Sequence, residues 1–321
     1  MNARAIPTGL FAILLLALLL LGGCQSSAGR PADVVIEDAH GSGSRIAVNP
    51  DSRLIASGGW GGRVRLWDIG DGRARGQWQA HSGAINGIVF VDDGAHLLSA
   101  GYDGRIAIWD LDGTPRSQWP AGSPVTALAA ASTTGPVLTG HKDGKVRLWD
   151  TDGRLRAQWE PHRGMVRAVA VTQGAALMAS SGADGKVFLW PADGQAQQLE
   201  DPPTDAQTLA FDPGGDALYG GGWFQLFRWE IPGGRLARLP TDHRGQIHSI
   251  HFLPDGRLAS ISRETDSAVL LLNAEDGTTA ERFKRHDLCG VAVQPSPDGR
   301  FLATSSDDAS VRLWRLEPRQ P

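Results

Sequence analysis

The side chains with a capacity for chemistry form a short list. His81 with Asp103, His162 with Asp184 and His286 with Asp308 have the residue types of acid–base pairs. His248 and His251 have the type that ligates zinc. A three-residue interval along a strand, however, sends side chains to opposite faces, and no Cys or Glu cluster lies near them, so no metal site is expected. No Gly-x-Ser-x-Gly elbow, P-loop or G-x-G-x-x-G fingerprint occurs in a strand–turn–helix setting. Gly220-Gly221-Gly222 is read as the tight turn before Phe224. The net charge of −4 lacks the basic footprint of a nucleic-acid binder. The two cysteines, Cys24 and Cys289, have unlike surroundings, which argues against a disulfide, and Cys289 is expected to be buried.

The elements that position these residues come from one period. Aliphatic-x-aliphatic-Trp phrases place Trp at 67, 109, 149, 190, 229 and 314, with Leu272 substituting once, at spacings of 42, 40, 41, 39, 43 and 42 residues. Each unit divides into four short strands. In residues 80–119 these are an apolar segment with Ile85, Ile88 and Phe90, then His96–Ala100, then Arg105–Trp109 after Asp103-Gly104, and last Ser117-Gln118-Trp119. No sustained helical period follows residue 32. Trp78, Trp119 and Trp159, each preceded by Gln, belong to outer strands and are expected to pack between units. The 41 glycines suit an all-β chain of many tight turns.

These features resemble the WD40 repeat family over residues 33–317. The resemblance implies an all-β, seven-bladed propeller, with a His, Ser or Thr, Asp and Trp hydrogen-bonded within each blade. Three sets match at a His-to-Trp interval of 28 residues: His81, Ser99, Asp103 and Trp109; His162, Ser180, Asp184 and Trp190; His286, Thr304, Asp308 and Trp314. Structural use therefore displaces the acid–base reading. Blade one has His40, Ser57 and Trp67 but Gly61 for the Asp. Blade three has Thr139, Asp143 and Trp149 but Ala121 for the His. Blade five keeps Trp229, and blade six keeps His243, Ser262 and Asp266. An incomplete buried network helps little, so these four blades are expected to lean on their neighbours. The chain stops after the third strand of the last unit, and residues 33–38 are expected to supply its outer strand, closing the ring.

Residues 10–21 form an unbroken apolar run, too short to span a bilayer and sized for a signal peptide. Leu21-Gly22-Gly23-Cys24 follows and resembles a bacterial lipobox, which implies that the Cys24 thiol takes a diacylglycerol before cleavage leaves it as the first residue. The expected organisation is a signal peptide over 1–23, a lipidated terminus and tether over 24–32, the propeller over 33–317 and a tail over 318–321. Gln25 after the cysteine is not the Asp of inner-membrane retention, so an outer-membrane, periplasm-facing location is expected.

In WD-repeat proteins partners often dock on one face of the ring, reached by the residue before the tetrad Asp and by those three and five after the His. Here these map to Arg45, Trp60, Asn86, Tyr102, Lys142, Met165, Arg167, His248, Thr265, Cys289 and Asp307. Trp60 and Tyr102 sit in glycine-flanked turns, and Arg45, Lys142 and Arg167 add positive charge, the composition of interface hot spots. The resulting expectation is a non-catalytic, monomeric scaffold with a protein or peptide partner of the envelope and no cofactor. A redox- or cofactor-linked propeller, or an accessory subunit of an envelope assembly machine, is the alternative.

Overall fold

The computed structural model describes residues 29–317 except residue 193. Residues 10–21 and Cys24, and with them the signal-peptide and lipidation expectations, lie outside the described residues. Seven four-stranded antiparallel sheets form the blades of an all-β propeller. Among the described residues the only helical pieces are the 3-10 turns Asp92–Gly94 and Gln173–Ala175.

Burial follows from a strand's place in its blade. The second strands, such as Leu54–Gly59 and Val137–His141, are buried on nearly every residue, because a neighbouring blade packs on each face of the sheet. The outer strands Ala74–Gln79 and Pro115–Pro120 alternate exposed with half-buried positions, since one edge meets water. Their tryptophans turn inward between blades. The rings of Trp78 and Trp109, Trp119 and Trp149, and Trp159 and Trp190 lie 6.1, 6.4 and 5.4 Å apart, each pair joining one blade to the next. Gly62 shows why glycine punctuates the turns. Its φ is +74°, and a Cβ there would lie 2.0 Å from the carbonyl oxygen of His81.

The ring is closed by its own N-terminus. Strand Val34–Ile36 pairs antiparallel with Val311–Arg315, in register Val34 with Leu313 and Ile36 with Val311. The folded unit starts earlier than residue 33, which shortens the expected tether. Arg30 bridges in parallel to Phe283. Its guanidinium lies 5.1 Å from the Phe283 ring centroid, and its Nε is 2.9 Å from Glu281. Its carbonyl accepts from Trp314 Nε1 at 3.1 Å. An arginine with an aromatic ring, a carboxylate and a buried donor all in reach is anchored.

The internal polar networks are less uniform than the repeat suggests. In blade two every donor finds the next acceptor. Trp109 Nε1 donates to Ser99 Oγ at 2.9 Å, Ser99 meets His81 Nε2 at 2.8 Å, and His81 Nδ1 meets Asp103 at 3.0 Å. Blade four keeps His162 on Ser180 and Asp184, but Trp190 Nε1 has no partner, its ring being drawn against Trp159. Blade seven keeps His286 on Thr304 and Asp308, while Trp314 turns to the Arg30 carbonyl. Two of the three expected tetrads thus lack the tryptophan bond.

Three incomplete blades are repaired locally. In blade one His40 and Trp67 share Ser57 Oγ, both at 2.8 Å, without an aspartate. In blade three His141, from the second strand, takes the place left by Ala121. Its Nε2 meets Thr139 Oγ1 at 2.7 Å, and Trp149 Nε1 donates to the same oxygen at 2.8 Å. In blade six the hydroxyl on His243 is Ser260 at 2.8 Å, not Ser262, which bonds Asp266 instead. The turn ahead of Asp266 is two residues longer than in the complete sets, so counting back from the aspartate stops two residues short, at Ser262. In blade five Trp229 Nε1 donates to the Glu200 carbonyl at 2.9 Å. One consequence is measurable. Trp109→Phe breaks a bond within a chain of three and Trp190→Phe breaks none, so the first should cost about 1 kcal/mol more in urea unfolding. Equal losses would show the network to be energetically idle.

Candidate channel-mouth site

One residue per blade, at the start of the innermost strand, surrounds the mouth of the central channel: Arg45, Asn86, Thr126, Arg167, Gln207, His248 and Val291. In five blades the inner strand bulges here. Register slips between Ile85 and Gly87, Val125 and Ala127, Val166 and Ala168, Ile247 and Ser249, and Gly290 and Ala292. The skipped residue pairs with nothing on the next strand, and such a bulge re-aims a side chain. The same slip corrects the expectation for the two histidines. With His248 as the extra residue, His248 and His251 both line the channel.

The channel encloses about 810 Å³ and opens into a mouth cavity of about 370 Å³. Of the expected face residues, Arg45, Asn86 and His248 line the cavity from the inner strands. Trp60, Tyr102, Met165 and Asp307 line it from the loops. Trp60 and Tyr102 stand 64% and 42% exposed, too much for a packing role. Lys142 touches this group through Tyr102, with its ammonium 5.4 Å from the ring centroid. Arg167 lies on the channel side, 3.2 Å from Asp205.

Besides Lys142 and Arg167, two further expected residues fall outside the lining of the mouth cavity. Thr265 donates its hydroxyl to the Arg244 carbonyl. Cys289 is half-buried, contrary to its expected burial, beside the exposed Leu288. Among the residues that sequence reasoning missed is Arg263, which lines the mouth and pairs with Asp307 at 2.8 Å. It lies three residues after Ser260, as Tyr102 follows Ser99 and Asp307 follows Thr304. Choosing Ser262 as the tetrad hydroxyl hid it and promoted Thr265. Thr126 was missed because blade three has no histidine from which to count.

The electrostatics are one-sided. Arg45, Arg167 and Arg263 converge on His248, and burial followed by these three charges holds its imidazole well below the usual histidine range, hence neutral. Burial, then Arg263, lowers the pKa of Arg45. Asn86 is anchored by donating to the Val125 carbonyl at 2.9 Å. Among the described residues no three His, Cys, Asp or Glu side chains gather to hold a metal ion. The carboxylates present are tied to guanidinium groups, so the arrangement is suited to holding a ligand.

Comparison with known proteins agrees with this architecture. The family model of the WD domain, G-beta repeat, matches residues 34–68, 72–110, 113–150, 153–191 and 277–315. A segment of the chain is 31% identical over 118 residues to periodic tryptophan protein 2 of Arabidopsis thaliana, covering 35% of this chain and 13% of that protein. Another is 31% identical over 93 residues to nuclear distribution protein PAC1 of Arthroderma benhamiae, covering 26% and 20%. A third is 27% identical over 124 residues to human apoptotic protease-activating factor 1, covering 37% and 10%. The chain thus spans a fifth or less of each relative's length. Residues 192–276, which hold blade five and the first three strands of blade six, fall outside the matched segments, and blade five is the one whose polar set departs furthest. With more than half of its length matched and seven blades in place, the chain belongs to the WD40 family of repeat propellers, whose members bind protein partners.

Proposed function

We propose that the protein is a non-catalytic docking module that holds a protein or peptide partner on the channel-mouth face. The observation that carries this reading is the exposure of Trp60 and Tyr102 on the rim of a cavity lined by arginine. We further propose that lipid on Cys24 ties a monomeric propeller to the bacterial envelope, facing the periplasm and on the outer membrane. The reading rests on the apolar run and the Leu21-Gly22-Gly23-Cys24 phrase. The anchor of Arg30 sharpens it. From Cys24 to Gly29 the chain reaches at most about 18 Å, so partners meet the ring close to the bilayer.

One fractionation and pull-down experiment covers both parts. Joint replacement of Trp60, Tyr102 and Arg167 by alanine should lower partner recovery from native membranes at least about tenfold, the loss expected for removing hot-spot residues. Cys24→Ser should shift the chain out of the membrane fraction. Unchanged recovery by the triple variant would locate docking elsewhere, and unchanged fractionation of Cys24→Ser would end the lipid proposal.

A further inference from the structure

We propose that the channel mouth is an oxyanion site, which takes a carboxylate or phosphate group presented by the docked peptide. This rests on the docking reading of the same face and names what the partner must carry. Three guanidinium groups, Arg45, Arg167 and Arg263, meet there against two carboxylates, Asp205 and Asp307. Asp205 is taken by Arg167 and Asp307 by Arg263. Arg45, half-buried on the channel rim, makes no hydrogen bond or ion pair with the described residues. One positive charge is left over.

A half-buried guanidinium with no counter-ion attracts an anion, and the attraction strengthens as the local dielectric of the channel mouth falls below that of bulk water. The neighbouring polar atoms point the same way. Nδ1 of His248 and Nε of Arg167 are buried and have no hydrogen-bond partner. Natural proteins seldom leave such groups unpaired, and a small rotation of either side chain would turn the atom toward a bound oxygen. The cavity of about 370 Å³ admits a residue-sized group. Trp60 and Tyr102 stand at its rim to hold the apolar part of the peptide. An acidic residue flanked by apolar ones fits this pattern of charge within and aromatic surface without.

The test uses the full chain with histidines labelled for NMR, titrated separately with acetate and inorganic phosphate. Binding should move the His248 ring signals, and Arg45→Gln should weaken it at least about tenfold. Arg45→Lys, which keeps the charge and loses the fork, should fall between. Stronger binding of phosphate would assign a phosphorylated side chain as the natural group, and comparable binding of acetate a carboxylate. Undiminished binding by Arg45→Gln, or no shift at His248 with either anion, overturns the site. The two readings fail separately. If Arg45→Gln keeps full partner recovery while the Trp60, Tyr102 and Arg167 variant loses it, docking stands and the oxyanion site falls.

Discussion

A chain that begins at Ala39 should melt about 10 °C lower than the intact protein and should aggregate on heating. Removing residues 29–38 deletes the outer strand of the last blade and lays bare the edge of Val311–Arg315. Ile36, 7% exposed and packed against Val311 and Leu313, leaves the core, and Val34 goes with it. Trp314, fully buried, loses the carbonyl that its indole N–H donates to, and Phe283 loses the Arg30 guanidinium. Burial of the aliphatic pair and the orphaned donor together come to about 4 kcal/mol. In a domain of this size each kcal/mol moves the midpoint by about 2–4 °C. A synthetic peptide of residues 29–38, added in excess, should restore much of the loss by adding its strand to the open edge. Circular dichroism melts of both chains decide the matter, and an unchanged midpoint would mean that closure contributes nothing.

Stability should also fall by on the order of 4 kcal/mol between about pH 7 and about pH 4.5, as buried histidines are forced to charge. Burial, with Arg65 and Arg63 nearby, holds His40 down to about 4. Burial and Arg147 do the same for His141, again to about 4. In the unfolded chain both titrate near the ordinary value of 6.5. As pH drops below that value the unfolded state binds protons that the folded state refuses. Stability is therefore complete above about 6.5 and is lost progressively down to about 4. Below that range the network carboxylates take over. Asp103, Asp184 and Asp308 are held below the usual range, by His81 for the first, by the Arg163 amide and His162 for the second and by His286 for the third, against the opposing effect of burial. Their contribution disappears as they protonate. Urea midpoints across the range give the curve. His141→Gln, which cannot charge, should flatten the part above pH 4, and a wild-type profile flat from pH 7 to 4.5 would contradict neutral buried histidines.

The polar networks show where reading by interval works and where it breaks. His81, Ser99, Asp103 and Trp109 assemble as their spacing implies, because the turn between Ser99 and Asp103 has the usual length. Blade six has the same residue types, but its longer turn moves the partner of His243 to Ser260 and puts Arg263 on the rim. His141 gave no warning. It replaces a histidine expected some twenty residues earlier, and only the proximity of neighbouring strands brings its imidazole to Thr139. Trp314 likewise meets the Arg30 carbonyl across 284 positions of chain, a contact that no local interval encodes.

The sequence by itself determined the number of blades, the four-stranded unit and the closing strand, since these follow from a period of about forty residues and from alternation within strands, both local and repeated seven times. Tertiary structure alone decided how the charges of the site pair. A bulge on one strand, a two-residue excess in one turn and an arginine paired across blades each shift a side chain by only a few ångströms. Whether charges lying in different repeats cancel or leave Arg45 unmatched depends on distances across the channel, and those exist only once the ring has closed.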